Sequence, residues 1–179
     1  LLYAYGGWGN STTPGFRPEL IAWIAMGGSF AIANIRGGGE YGRDWHNAGK
    51  RLLKRNCFDD FCYAARYLKA EGIAAPGKLS IRGLSNGGLM ITACINQCPE
   101  LFDAAIAEIP LVDVVHLMEL PIGPSVSAEF GDPEESPEVF EYMSGYSPLQ
   151  NITPSNDRPP LMVVVATNDE SAPPAVAYK

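Results

Sequence analysis

Leu79-Ser80-Ile81-Arg82-Gly83-Leu84-Ser85-Asn86-Gly87-Gly88-Leu89-Met90 settles the architecture of this chain. It sets Gly83-x-Ser85-x-Gly87 between a strand-like run, Leu79 to Ile81, and a helix-like run, Gly88 to Cys98. A serine between two glycines at a strand-to-helix turn is the pattern of a nucleophile elbow, in which a sharp, strained bend exposes Oγ and the small neighbours let a substrate carbonyl approach it. The bare pentapeptide also occurs as an ordinary glycine-rich turn, so its context carries the argument.

A serine hydroxyl becomes a useful nucleophile only when an imidazole takes its proton, and the imidazole in turn needs a carboxylate to orient it. In the α/β-hydrolase order the serine comes first, the acid next and the histidine last. The chain holds only two histidines. His46 precedes the serine and His116 falls before any plausible acid strand, so both are expected to be structural or surface residues and the base to be missing from this chain. The acid is easier to place. Leu161-Met162-Val163-Val164-Val165-Ala166 is a continuous apolar run of the kind expected for a strand buried on both faces of a parallel sheet. It leads into Thr167-Asn168-Asp169-Glu170-Ser171, and sites in such sheets form at the carboxyl ends of strands. Asp169 or Glu170 is therefore where a triad acid would be delivered, the alternative being a solvated acidic turn.

The remaining elements alternate. A strand-like Leu1 to Tyr5 is followed by a helical stretch from Glu19 to Met26, a strand from Phe30 to Ile35, and a helix with Asp59 or Asp60 in its first turn and Phe61, Ala64, Ala65 and Leu68 on one apolar face, ending at Gly72. After the elbow helix comes another short strand, Ala104 to Ile109. Alternation of this kind predicts an α/β fold, a mostly parallel, doubly wound sheet with helices on both faces. Residues 113–151 break the pattern with Pro- and Gly-punctuated segments, expected to form an excursion over the sheet edge near the substrate pocket. Arg36-Gly37-Gly38-Gly39-Glu40-Tyr41-Gly42 has neither glycine spacing of a phosphate-binding loop.

The chain has 179 residues, enough for one domain with a real core, and its 46% hydrophobic and 18% charged residues are ordinary for a globular protein. A net charge of -7 with no basic stripe argues against nucleic-acid or anionic-membrane partners, and no apolar run is long enough to span a bilayer. Cys57, Cys62, Cys94 and Cys98 occur as two pairs about one helical turn apart, which reads as core packing rather than a metal site. The chain opens on a strand-like run without a methionine, so both termini are expected to be cut.

Taken together, Tyr3-Ala4-Tyr5-Gly6-Gly7-Trp8, Asn34-Ile35-Arg36-Gly37-Gly38-Gly39-Glu40-Tyr41-Gly42, Asn56-Cys57-Phe58-Asp59-Asp60-Phe61, Gly83-Leu84-Ser85-Asn86-Gly87-Gly88 and Tyr146-Ser147-Pro148-Leu149 closely resemble the catalytic domain of the prolyl oligopeptidase family of serine peptidases. The resemblance implies a partial α/β-hydrolase domain over residues 1–179, lacking the segment that bears the histidine. It also implies peptide-bond hydrolysis of short peptides without a cofactor and an N-terminal β-propeller in the same full-length chain; it favours a cytoplasmic setting but leaves the localisation open, since an export signal could lie in the missing termini. It makes Ser85 the nucleophile and Asp169 the acid, and pairs the Tyr5 hydroxyl with the Asn86 backbone N–H in the oxyanion hole. It places Trp8, Val126 and Phe130 in the substrate pocket. There the chain departs from the proline-preferring members, since Val126 replaces a tryptophan, Phe130 a tyrosine and Ser171 a carbonyl-gripping arginine, which puts proline preference in doubt. The rival readings are an esterase or other serine hydrolase of the same superfamily, because the elbow does not distinguish amides from esters, and a non-catalytic truncated piece.

Overall fold

A computed structural model describes residues 1–120, 122–154 and 157–178. Five strands, β1 (Leu2–Tyr3), β2 (Ala31–Ile32), β3 (Ser80–Leu84), β4 (Ala104–Glu108) and β5 (Leu161–Val164), form one sheet in the order β2-β1-β3-β4-β5. Every pairing is parallel, with Leu2 in register with Ala31 on one side and Ile81 on the other. Among the described residues, seven helices connect and flank the strands: α1 (Pro18–Ala25), α2 (Arg43–Asn47), α3 (Arg55–Ala70), α4 (Asn86–Gln97), α5 (Gly123–Phe130), α6 (Pro137–Ser144) and α7 (Pro174–Ala177).

The strand order fixes where a site can form. From β1 the chain winds outward to β2, then returns across β1 to β3 and winds the other way. The switch point lies between β1 and β3, and the crevice beyond their carboxyl ends is where loops diverge and a ligand can enter. Tyr5 follows β1 there and Ser85 follows β3.

Burial along β3 and β4 alternates, with Ile81, Ala105 and Ala107 inaccessible and Ser80, Arg82 and Ile106 only partly covered. The inaccessible side packs under α3 and α4, whose Phe58, Phe61, Leu89 and Ile91 complete a continuous core. On the other side Arg82 Nε donates to Glu108 Oε2 at 2.8 Å, and its NH1 stands 3.7 Å from Glu19 of α1. Helices thus lie on both faces, but α1 buries none of its residues, and Ile21 and Ile24 remain exposed.

Three expectations need correction. The apolar run at 161–166 forms a strand only over Leu161–Val164, and all four residues are 37–60% exposed rather than buried on both faces. No described element pairs with its outer edge, so hydrophobicity that suits a central strand stands on the rim. Helix α3 begins at Arg55, so Asp59 and Asp60 lie beyond its first turn. Asp60 serves instead as a bidentate partner for Arg36, at 2.8 and 2.7 Å, and also accepts the Arg36 backbone N–H at 2.9 Å, which anchors the glycine loop. The second strand is two residues long, not six. The 113–151 segment, punctuated though it is, folds into α5, α6 and short 3₁₀ turns that bury Val114, Leu117, Val126, Phe130 and Met143.

Phe61 is fully buried and stacks obliquely on Phe102, ring centres 6.2 Å apart, whereas Phe16 is 84% exposed. Phe61→Ala should therefore cost about 3–5 kcal/mol of unfolding free energy and Phe16→Ala under about 0.5 kcal/mol. Urea titration of the two variants compares them directly.

Candidate active site

Ser85 occupies φ 56°, ψ -114°, a region that side-chain-bearing residues rarely enter. Its N–H donates to Glu108 O of β4 at 2.8 Å, and its carbonyl accepts Leu89 N–H of α4 at 3.0 Å, so strand and helix pin the strained residue from both sides. The flanking glycines are required by space. A Cβ on Gly83 would stand 2.3 Å from Gly87 O, and one on Gly87 2.8 Å from Ala4 O. The bend therefore closes only if both positions lack side chains. Because α4 starts at Asn86, the N–H groups of Asn86, Gly87 and Gly88 precede the first intrahelical acceptors and lie at the positive end of the helix.

Asn86 ties that turn to β1. Its Nδ2 donates to the Tyr5 carbonyl at 2.5 Å. The Tyr5 hydroxyl lies within reach of the Asn10 and Ser85 side chains. Burial pushes the Tyr5 phenol above its ordinary value, opposed in part by the Asn10 contact, so it remains a hydrogen-bond donor at neutral pH.

A cavity of about 240 Å³ opens over Ser85. Trp8, Ile109, Ile122, Ser125, Ser171 and Ala172 form much of its wall. Trp8 meets Phe130 edge-on, ring centres 5.9 Å apart. Phe130 is itself fully buried, so it backs Trp8 and does not line the cavity. Val126 belongs to the lining but has no accessible surface of its own. Ile109, Ile122, Ser125 and Ala172 escaped the sequence reading because nothing about an isolated apolar or small residue marks it as pocket-lining. A larger hollow of about 550 Å³, bordered by Leu1, Trp23, Phe30, Ile73 and Leu79, sits at the opposite, amino ends of the strands, away from Ser85.

Asp169 lies on the loop after β5, near the cavity rim that Ser171 and Ala172 form. Its Oδ1 accepts the N–H groups of Ser171 at 2.8 Å and Ala172 at 2.9 Å, which folds the loop around the carboxylate and fixes its direction. Glu170 is exposed. Neither histidine borders the cavity. His46 Nε2 faces Glu129 Oε2 at 2.8 Å, and His116 Nδ1 faces Asp113 Oδ1 at 2.8 Å, both structural contacts. Cys57, Cys62 and Cys94 are buried on α3 and α4, and Cys98 is partly covered.

A parallel sheet with a serine elbow at its switch point and a cavity at the carboxyl ends of its strands defines the α/β-hydrolase class of fold. Within that class, the chain belongs to the prolyl oligopeptidase family, whose sequence pattern matches residues 14–179. It is 40% identical over 179 residues to prolyl oligopeptidase A of Galerina marginata, covering 99% of this chain and 24% of that protein. It is 36% identical to the prolyl endopeptidase of Elizabethkingia meningoseptica, covering 100% of this chain and 25% of that one. The chain thus spans about a quarter of the length of these relatives. Among solved structures, apo prolyl oligopeptidase B of Galerina marginata superimposes with a TM-score of 0.94 at 36% identity, over 99% of this chain and 25% of the other. The same protein has been solved bound to 35-residue and 25-residue substrates, with a serine, a histidine or an aspartate replaced by alanine.

The strain at Ser85 has a measurable consequence. Ser85→Gly should unfold at higher urea than Ser85→Ala by about 1 kcal/mol, since relief of left-handed strain outweighs the entropy glycine adds to the unfolded chain. Both variants lack the hydroxyl, so equal midpoints, or greater stability for alanine, would mean that the elbow is unstrained.

Proposed function

We propose that Ser85 and Asp169 are the nucleophile and acid of a serine peptidase whose histidine lies outside these 179 residues. The observation that carries the reading is that a strained serine at the start of a helix and a tyrosine, delivered by β3 and β1 at the switch point, line one cavity. In the homologous prolyl oligopeptidase B, the substituted serine and aspartate are as far apart in sequence as Ser85 and Asp169, and the substituted histidine stands farther beyond its aspartate than Lys179 stands beyond Asp169. Residues 1–179 are then part of a longer catalytic domain. The exposed apolar faces of β5 and α1 favour this, because such surface is normally covered.

Within the complete site, the imidazole removes the Ser85 proton as Oγ attacks the carbonyl carbon of a short peptide. The carbonyl oxygen gains negative charge, which the Tyr5 hydroxyl and the Asn86 N–H stabilise. The proton passes to the leaving amine, and water then attacks the acyl-serine in the mirror sequence. Asp169 holds the imidazole in its productive tautomer. Trp8 offers an aromatic surface in the cavity wall, while the aliphatic residues Ile122 and Val126 supply no ring opposite it, so selectivity for proline beside the cut should be weaker than where a tryptophan stands at position 126. An N-terminal β-propeller that restricts entry to short peptides belongs to the same proposal.

The 179-residue chain alone should hydrolyse peptides on the order of 10⁴-fold more slowly than the full-length protein, because only binding and the oxyanion hole remain. Rapid, stoichiometric labelling of Ser85 in the short chain by a fluorophosphonate would show the base to be present after all. In the full-length protein, Asp169→Asn should lower kcat by about 10⁴-fold while Glu170→Gln changes it little. The reverse ranking would assign the acid to Glu170. A matched series of peptides varying only next to the scissile bond would measure the proline preference.

A further inference from the structure

Beneath the cavity lies a charged cluster that the serine chemistry does not use. Lys54, on the turn before α3, is completely buried. Its ammonium donates to the Gly6 carbonyl at 3.2 Å and to Glu129 Oε1 at 3.0 Å, and stands 4.9 Å from the centre of the Phe130 ring. A carbonyl, a carboxylate and a ring face thus enclose the charge. Glu129 is 2% exposed, and its other oxygen faces His46 Nε2 at 2.8 Å. Burial alone would raise the Glu129 carboxyl, but Lys54, His46 and the nearby Trp8 backbone N–H outweigh it and hold the group below its ordinary value.

The cluster joins four separate segments: the loop after β1 through Gly6, α2 through His46, the start of α3 through Lys54, and α5 through Glu129. Two of these carry site groups. Gly6 directly follows Tyr5 and precedes Trp8 by two residues. Glu129 stands between Val126 and Phe130, the residues that back the cavity. A buried ion pair adds little net stability over an apolar core of the same shape, because desolvation offsets most of the attraction. What an ammonium does that a methyl group cannot is fix the direction of a particular carbonyl.

We infer that Lys54 and Glu129 are positioning residues that lock the Tyr5–Trp8 loop against α5 and so set where the Tyr5 hydroxyl and the Trp8 ring stand relative to Ser85. This rests on the peptidase reading for its effect on catalysis, but not for its effect on the loop. Loss of the lock displaces a donor needed most when charge develops on the substrate oxygen, so kcat falls more than KM rises.

The test uses the full-length protein with Lys54→Met, Glu129→Gln and the double variant, assayed on a short prolyl peptide and by hydrogen exchange. Each single variant should lose on the order of 10–100-fold in kcat with KM changed less than about threefold. The double variant, which leaves no unpaired buried charge, should lose less than the product of the two. The Gly9 and Asn10 amides, bonded to Gly37 O at 3.1 Å and Gly7 O at 3.0 Å, should exchange at least about tenfold faster in the single variants while β3 and β4 amides keep their protection. Unchanged kcat, or exchange that rises equally in the sheet, overturns the positioning role. If the wild type shows no hydrolysis dependent on Ser85, the peptidase reading fails on its own, and exchange at Gly9 and Asn10 still decides whether the pair positions the loop.

Discussion

The bend at Ser85 is the constraint on which the rest depends. One residue is held at φ 56° by hydrogen bonds to β4 on one side and α4 on the other. That arrangement demands that β3 and β4 run parallel and in register, that α4 start without delay, and that Gly83 and Gly87 carry no side chains. The core under α3 and α4 supplies the rigidity. A strained backbone persists only where its surroundings leave it no alternative, and here a fully buried Ile81, Leu89 and Ala107 surround it.

Around this fixed point the chain assembles a site from distant segments by backbone contacts more than by side-chain pairs. The Asn86 side chain grips the Tyr5 carbonyl, Lys54 grips the Gly6 carbonyl, and Asp169 accepts two N–H groups of its own loop. Each contact orients a main-chain segment whose neighbouring residue has a place in the cavity. The Tyr5 phenol, which burial pushes above its ordinary value, stands at the same cavity as Ser85. Both residues reach the cavity because β1 and β3 are neighbours in the sheet.

Much of this was legible in the sequence. The elbow, the order of alternating elements and the strand leading into the Asp169 loop follow from glycine placement and apolar runs, which report directly on backbone geometry. The pocket was less legible. Phe130 aligns with a pocket residue yet lies behind Trp8, and Val126 is buried, because which way a helix such as α5 turns its side chains depends on its packing partners and not on its own residues. Lys54 gave no signal either. A lysine at a helix start reads as a solvated cation, and only the approach of α5, 75 residues away, reveals its carboxylate partner. The run at Leu161 misled in the opposite direction. It encodes the environment of a central strand, and periodicity cannot say whether neighbours are at hand.

That last mismatch bears on how the chain behaves in solution. Leu161, Met162, Val163 and Val164 form an uncharged, apolar strand with one edge unpaired among the described residues and both faces accessible. Such an edge offers a row of backbone donors and acceptors to any other strand it meets. It lacks the inward charge, proline or bulge by which natural sheets discourage that encounter. In the 179 residues taken alone, that rim is where two copies would pair, extending one sheet into the next, whereas a further strand of a longer domain seated on β5 would leave no rim to pair.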